Sequence, residues 1–173
     1  RCNPLDDDGN ILDISEIDYL MFWCYVNFLD ITMHSHFLTI VSEKCKLMSE
    51  NVIHLLSDIE PTIVIWLENR GLDNLIWFFS DFVLLFKRSF QHIWPIWINI
   101  ISAPDPCEWI IHFSASLVIS SFNELSKMQN ISFADIHAAF PVIVQSLNVQ
   151  SIRYSADYIS SFYSKKLYKA KKE

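Results

Sequence analysis

Glycine is scarce in this sequence of 173 residues, which contains only Gly9 and Gly71. Loops that hold a phosphate need several glycines because the backbone must approach the anion closely, so Walker-type and dinucleotide-binding loops are excluded. The sequence also lacks a Gly-x-Ser-x-Gly nucleophile elbow and a His-Glu-x-x-His zinc helix. The residues alone therefore indicate no active site of these classes.

Closely spaced cysteines are missing as well. The sequence has four cysteines and no Cys-x-x-Cys motif: Cys2, Cys24, Cys45 and Cys107. Such spacing is typical of reduced thiols in a cytoplasmic protein rather than of a disulfide framework. The possible metal ligands are His34, His36, Cys45 and His54. Because their spacing matches no compact ligand set, we predict no metal site and no cofactor.

No apolar run is long enough to cross a membrane. The most apolar stretch, residues 77–90 (Trp-Phe-Phe-Ser-Asp-Phe-Val-Leu-Leu-Phe-Lys-Arg-Ser-Phe), is interrupted by Asp81. As a helix, the apolar run from Leu75 to Phe86 extends roughly 18 Å, whereas the apolar core of a bilayer is about 30 Å thick. A helix that is apolar on every side is otherwise a central core helix. We therefore predict a central helix enclosed by the others, with Asp81 as the candidate for a shifted pKa and Lys87 and Arg88 at its C-terminus.

Charge is unevenly distributed along the chain. The net charge is −7, with carboxylates concentrated near the start and lysines near the end. An acidic chain is a poor candidate for nucleic-acid binding, which needs a basic face. We expect an acidic connector over residues 1–14, a helical domain over 15–168 and a basic tail over 169–173. The tail is interpreted as a solvated helix end, with contact to an anionic membrane or nucleic acid as the alternative.

Apolar residues recur at helical spacing through the rest of the chain, and no strictly alternating run predicts a strand. Ser15 is the predicted N-cap of a first helix with apolar positions at Ile17, Leu20, Met21, Cys24, Phe28 and Ile31. The later helix boundaries are predicted at Gly71, Asp73, Asp105 with Pro106, Ser132 with Asp135, and Asn148. The sequence thus predicts a single all-α domain of about eight helices around the central aromatic-rich helix. Because the chain begins with Arg rather than Met, we also expect it to be part of a longer protein.

Two stretches resemble a known family. Residues 15–18 (Ser-Glu-Ile-Asp) followed by 22–25 (Phe-Trp-Cys-Tyr) are similar to the Ser-Glu-x-Asp-Ala-Phe-Trp-Cys-Phe segment of TBC domains, the GTPase-activating domains for Rab GTPases. Residues 77–90 resemble the Phe-x-Phe-Arg-Trp-Leu-Leu-x-x-Phe-Lys-Arg-Glu-Phe segment of that family. The resemblance covers nearly the whole chain from Ser15, but only the C-terminal half of a TBC domain. It implies a lobe that supports the finger-bearing N-terminal lobe of the same domain and helps to form the groove for a Rab-type small GTPase in vesicle trafficking.

The sequence departs from the family pattern inside the central stretch. Ser80 and Asp81 stand where the family has Arg-Trp, and Ser89 stands where it has Glu. The catalytic Arg and Gln of the family belong to Ile-x-x-Asp-x-x-Arg and Tyr-x-Gln motifs upstream of this half, and neither motif occurs here. The resemblance therefore implies no catalytic residue in this chain and a cytoplasmic protein that reaches membranes through its GTPase partner. Lys87 and Arg88 are candidate contacts to that GTPase, with charge compensation at a helix end as the alternative.

Two other functions stay open. A non-catalytic interaction scaffold would bind a peptide in an exposed helical groove, although we find no internal repeat in its favour. A membrane-associated helical bundle is the third possibility, and the short apolar runs separated by charge count against it.

Overall fold

Helices make up most of the part of the chain that the structure describes. The computed structural model describes residues 8–9, 13–32, 41–128 and 131–170, and these ranges contain eight α-helices, one 3-10 helix and no strand. The α-helices are α1 (Ile14–Ile31), α2 (Val41–Ile59), α3 (Pro61–Glu68), α4 (Phe79–Val83), α5 (Trp94–Ser102), α6 (Pro106–Leu125), α7 (Phe133–Ser146) and α8 (Val149–Ala170), and the 3-10 helix is Ile76–Phe78. The prediction of an all-α domain of about eight helices is confirmed. Within the same ranges, no helix is both long and apolar enough to span a bilayer.

Helix α6 is the element on which most of the others pack. Helices α2, α5, α7 and α8 all contact it, and nearly every side chain from Trp109 to Val118 is buried. Ser114 and Ser121 are accommodated in this apolar setting because each hydroxyl donates a hydrogen bond of 2.8 Å to the carbonyl four residues earlier. These two hydroxyls are therefore paired within the helix itself, whereas the buried hydroxyl of Ser116 on the same helix has no hydrogen-bond partner.

Residues 77–90 lie in the core, but only part of the stretch is helical. The 3-10 helix leads into α4, which ends at Val83, and residues 84–89 form successive turns. Phe78, Phe82 and Phe86 are completely enclosed. The central position that we predicted is confirmed, whereas the helix is shorter than expected. Lys87 and Arg88 consequently follow the helix in a turn instead of forming its last turn, which corrects their predicted placement.

The end of α4 depends on two residues with left-handed backbone. Leu85 has φ of 46° and Phe86 has φ of 67°, and the Phe86 amide donates to the carbonyl of Asp81 at 2.8 Å. Glycine usually occupies such positions, because a side chain there costs about 1–2 kcal/mol. The Phe86 ring lies 4.9 Å from that of Phe113, between centroids, and 6.2 Å from that of Phe78. Burial of the ring among these neighbours offsets the backbone cost.

Most helix ends follow the predicted capping chemistry. The Asp105 carboxylate accepts from the Glu108 amide at 2.9 Å with Pro106 in the first turn. A capping box joins Ser132 to Asp135. At the start of α8, Asn148 Oδ1 accepts from the Ser151 amide at 3.2 Å, and Gly71 after α3 has the predicted left-handed conformation, with φ of 65°. Asp73 does not cap the 3-10 helix; Asn74 Oδ1 accepts from the Ile76 amide instead.

The first helix begins earlier than the sequence indicated. It starts at Ile14, and the Asp13 amide donates to the Glu16 carboxylate at 2.9 Å, while Ser15 lies inside the helix and donates to Asp13. Most of the predicted connector, residues 1–14, lies outside the described residues, as do residues 171–173 of the predicted tail. Helix α8 continues to Ala170, so the tail begins as helix.

We expect Phe86→Ala to lower the free energy of unfolding by about 3–5 kcal/mol. The substitution removes a fully enclosed ring and leaves a left-handed residue with nothing to compensate it. Equilibrium unfolding in urea measures the loss. Phe79→Ala removes a ring that is 39% exposed and is the matched control, with an expected loss of less than about half as much. Equal losses would contradict a central role for Phe86.

Candidate interaction surface

Helix α1 is anchored to the rest of the chain at its C-terminal end. The Phe28 ring is buried and lies 5.2 Å from the ring of Trp97 in α5. Thr32 is also buried, and its hydroxyl donates to the Phe28 carbonyl at 2.8 Å. The backbone of Ile31 approaches the thiol of Cys107 at the start of α6. These contacts fix one end of the helix against α5 and α6.

The preceding two turns of α1 are exposed on every side. Six large side chains in residues 19–25 expose between 46% and 64% of their surface: Tyr19, Leu20, Met21, Phe22, Trp23 and Tyr25. Cys24 between them is exposed too. We expected the apolar positions of this helix to face the core, but only Phe28 does so fully. The difference arises because residues 19–25 meet no neighbouring helix that could cover them within the described part of the chain.

Helix α5 presents a second apolar face to solvent. Trp94, Ile98 and Ile101 recur at helical spacing and are exposed by more than half, whereas Ile96 and Ile100 on the opposite face are completely buried. We call the six exposed residues of α1 together with these three of α5 the α1–α5 surface. Exposed apolar side chains in this number on a folded domain are typical of contact sites for another protein or segment.

The two basic residues predicted to contact a partner have different surroundings. Both are exposed. The Arg88 guanidinium lies 2.6 Å from Nε2 of His137 in α7, and it also donates to the Ser80 hydroxyl at 3.2 Å. Because arginine has only donors, that ring nitrogen accepts. Arg88 therefore ties the turn after α4 to α7, and a contact from Lys87 or Arg88 to a GTPase remains a prediction.

Asp81 is the buried carboxylate at the centre of the fold. It is 2% exposed, and the hydroxyl of the fully buried Ser89 donates to it at 2.6 Å. Burial raises the pKa of Asp81 to about 6, while the hydrogen bond from Ser89 and the charge of Arg88 act in the opposite direction. The shift that we predicted for Asp81 is present. Its single described side-chain partner is a serine, so the geometry is that of a structural carboxyl group.

Of the four possible metal ligands named in the sequence, the structure describes two, Cys45 and His54. His34 and His36 lie outside the described ranges. Cys45 is buried, and burial raises the pKa of its thiol to about 11. His54 is exposed. In the described ranges, no group of three His, Cys, Asp or Glu residues could hold a metal ion.

An acidic and a basic side chain lie one turn apart on α6. Oε1 of Glu108 is 3.9 Å from Nε2 of His112, which is 4% exposed. Burial raises the pKa of Glu108 and lowers that of His112, so both side chains are displaced toward their neutral forms. A separation of 3.9 Å is too long for a hydrogen bond. The pair therefore does not have the geometry of a proton relay.

One groove offers space for an apolar side chain. It has a volume of about 410 Å³ and lies between α2 and the 3-10 helix, with Cys45, Ser49, Leu75, Ile76 and Phe79 among its lining residues. A second groove of about 300 Å³ lies beside Ser89 and Gln145. The first could accept an anchoring side chain from a bound helix or peptide.

We expect Asp81→Asn to stabilise the protein more at pH 7 than at pH 4. Between the usual value of 3.8 and the native value of about 6, the native state keeps a proton that the unfolded chain has released. The free energy of unfolding of the wild type therefore falls as pH rises through this window, by on the order of 3 kcal/mol, and asparagine escapes the loss.

Urea unfolding of both proteins at the two pH values measures the difference. Asp73→Asn removes the same charge from an exposed position and is the control. An equal pH dependence in the two variants would show that net charge, and not burial, is the cause.

Comparison with known proteins adds no relative. The chain matches no protein-family model, no curated protein and no solved structure.

Proposed function

We propose that this chain is the C-terminal lobe of a Rab GTPase-activating TBC domain. In this role it supports the N-terminal lobe that carries the catalytic Arg and Gln, and it completes the groove for the GTPase. The observation that carries the proposal is the exposure of the Phe22-Trp23-Cys24-Tyr25 motif on α1. One of the two stretches that resemble the family is thus exposed to solvent.

The exposed surface favours a protein partner that is present permanently. Full burial of one large apolar side chain contributes about 1.5–3 kcal/mol, and the α1–α5 surface contains nine such side chains. Covering even part of them would contribute substantially to stability. The N-terminal lobe of the same domain suits this position, because large apolar interfaces are usual between parts that stay together.

The chemistry of GTP hydrolysis would then come from the other lobe. An Arg finger stabilises charge on the transferring phosphate and a Gln positions the attacking water. Neither family motif occurs in this sequence. Asp81 points into the core and contacts Ser89, so it is no substitute for them. In this proposal Lys87 and Arg88 contribute charge near the groove for the GTPase.

A non-catalytic interaction scaffold is the second candidate function. The groove between α2 and the 3-10 helix supports it, since Leu75, Ile76 and Phe79 offer an apolar lining to an incoming side chain. A scaffold of this kind would act through the groove, whereas a TBC lobe requires the α1–α5 surface.

We expect this chain alone to leave the rate of GTP hydrolysis by any Rab unchanged, because it lacks both fingers. Single-turnover phosphate release with a panel of Rab GTPases measures the rate. The N-terminal lobe of the same full-length protein, added as a separate chain, should bind this chain and restore the acceleration. Acceleration by the chain alone would contradict the proposal, as would the lack of a Tyr-x-Gln motif in the sequence before Arg1 of the full-length protein.

The double variant Phe22→Gln/Trp23→Gln tests where the lobes meet. We expect it to weaken binding of the N-terminal lobe by at least about tenfold, because two rings lose their apolar contact. Tyr158→Gln/Phe162→Gln removes two exposed rings from α8 and is the matched control. Equal binding by the two variants would exclude α1 as the contact.

A further inference from the structure

Helix α8 exposes a row of aromatic rings on the side opposite its core contacts. Ile152, Ala156 and Ile159 are buried in its packing with α6. On the outer face, Tyr154, Tyr158 and Phe162 follow at intervals of four residues and are 66%, 72% and 51% exposed. Residues four apart are neighbours on one face of a helix, so the rings form a single stripe of roughly 12 Å. We call these three residues the α8 stripe.

The charge of α8 is opposite to that of the chain. Its sequence contains Arg153, Lys165, Lys166 and Lys169 against the single acid Asp157, which gives four minus one, or +3, within a chain of net charge −7. Asp157 accepts a hydrogen bond of 2.9 Å from the Trp109 indole in α6. In the sequence the three lysines follow Phe162 within seven residues. Aromatic side chains and positive charge therefore coincide on this helix.

We propose that the outer face of α8 binds an anionic lipid surface. Tyrosine and phenylalanine rings favour the boundary between headgroups and acyl chains, and lysines are attracted to anionic headgroups. An exposed helix that combines both lies in the plane of the interface without spanning the bilayer. The opposite side of α8 remains packed on α6, so the domain would bind the membrane through the outer face of α8 alone.

Lipid suits this face better than a second copy of the chain. The complementary partner within another copy would be α1, which has three carboxylates and no basic residue. The exposed residues of α1 surround that helix instead of forming a strip that matches α8. Lipid binding by α8 does not depend on the TBC proposal, because it uses neither α1 nor the GTPase groove.

Flotation with vesicles tests the proposal on the chain as it exists. We expect binding to phosphatidylcholine vesicles that contain phosphatidylserine, little binding to phosphatidylcholine alone, and release at high salt. Tyr154→Gln/Tyr158→Gln/Phe162→Gln should weaken binding by roughly tenfold or more, because the rings no longer enter the interface. Lys165→Glu/Lys166→Glu should remove most of the preference for the anionic lipid.

Leu47→Gln/Ile65→Gln is the control, since it removes two exposed apolar side chains from α2 and α3 and should leave vesicle binding unchanged. Circular dichroism verifies that each variant keeps its helices. Equal binding to neutral and anionic vesicles, or full binding by the α8 variants, would overturn the proposal. Analytical ultracentrifugation tests the alternative that a second copy of the chain covers the α8 stripe. If the wild type is a dimer that does not bind vesicles, and the α8 variants are monomers, the stripe is a dimer contact.

Discussion

The packing of Phe86 between Phe78 and Phe113 is the contact on which the rest of the structure depends. Phe113 belongs to α6, and Phe78 in turn meets Phe140 of α7, with ring centroids 5.2 Å apart. The cluster thus joins the central stretch to two of the long helices. Aromatic pairs in such edge-to-face arrangements add to the free energy already gained by burial. The free energy gained from burial and from these ring contacts holds Leu85 and Phe86 in backbone conformations that glycine normally adopts.

Each position that departs from the TBC pattern makes a hydrogen bond to another side chain. Ser89 donates to Asp81, and Arg88 donates to Ser80, so the substituted residues are linked within the chain. A buried carboxyl group needs such a donor because its charged form is poorly solvated in the core. The departures therefore belong to two separate hydrogen-bonded pairs, Asp81 with Ser89 and Ser80 with Arg88. This arrangement is compatible with a structural role for the central stretch in any of the functions considered.

The proposals use two separate surfaces because the exposed aromatic residues differ in charge environment. The α1–α5 surface combines large apolar side chains with carboxylates on α1, whereas the α8 stripe precedes lysines. A protein lobe can cover the first without meeting concentrated positive charge. An anionic surface would be repelled by the carboxylates of the first and attracted by the second. A TBC lobe that also touches lipid would bring its GTPase groove close to a membrane.

The sequence by itself determined the features that depend on near neighbours. The helical class, the caps at Asp105, Ser132 and Asn148, and the left-handed Gly71 follow from hydrogen bonds and backbone preferences within three or four residues. Tertiary structure alone decided that the central stretch turns at Leu85 and Phe86 and that residues 19–25 stay exposed. Both outcomes depend on which distant side chains are present to pack against them. Helical periodicity shows that a face is apolar, but it does not specify what covers it.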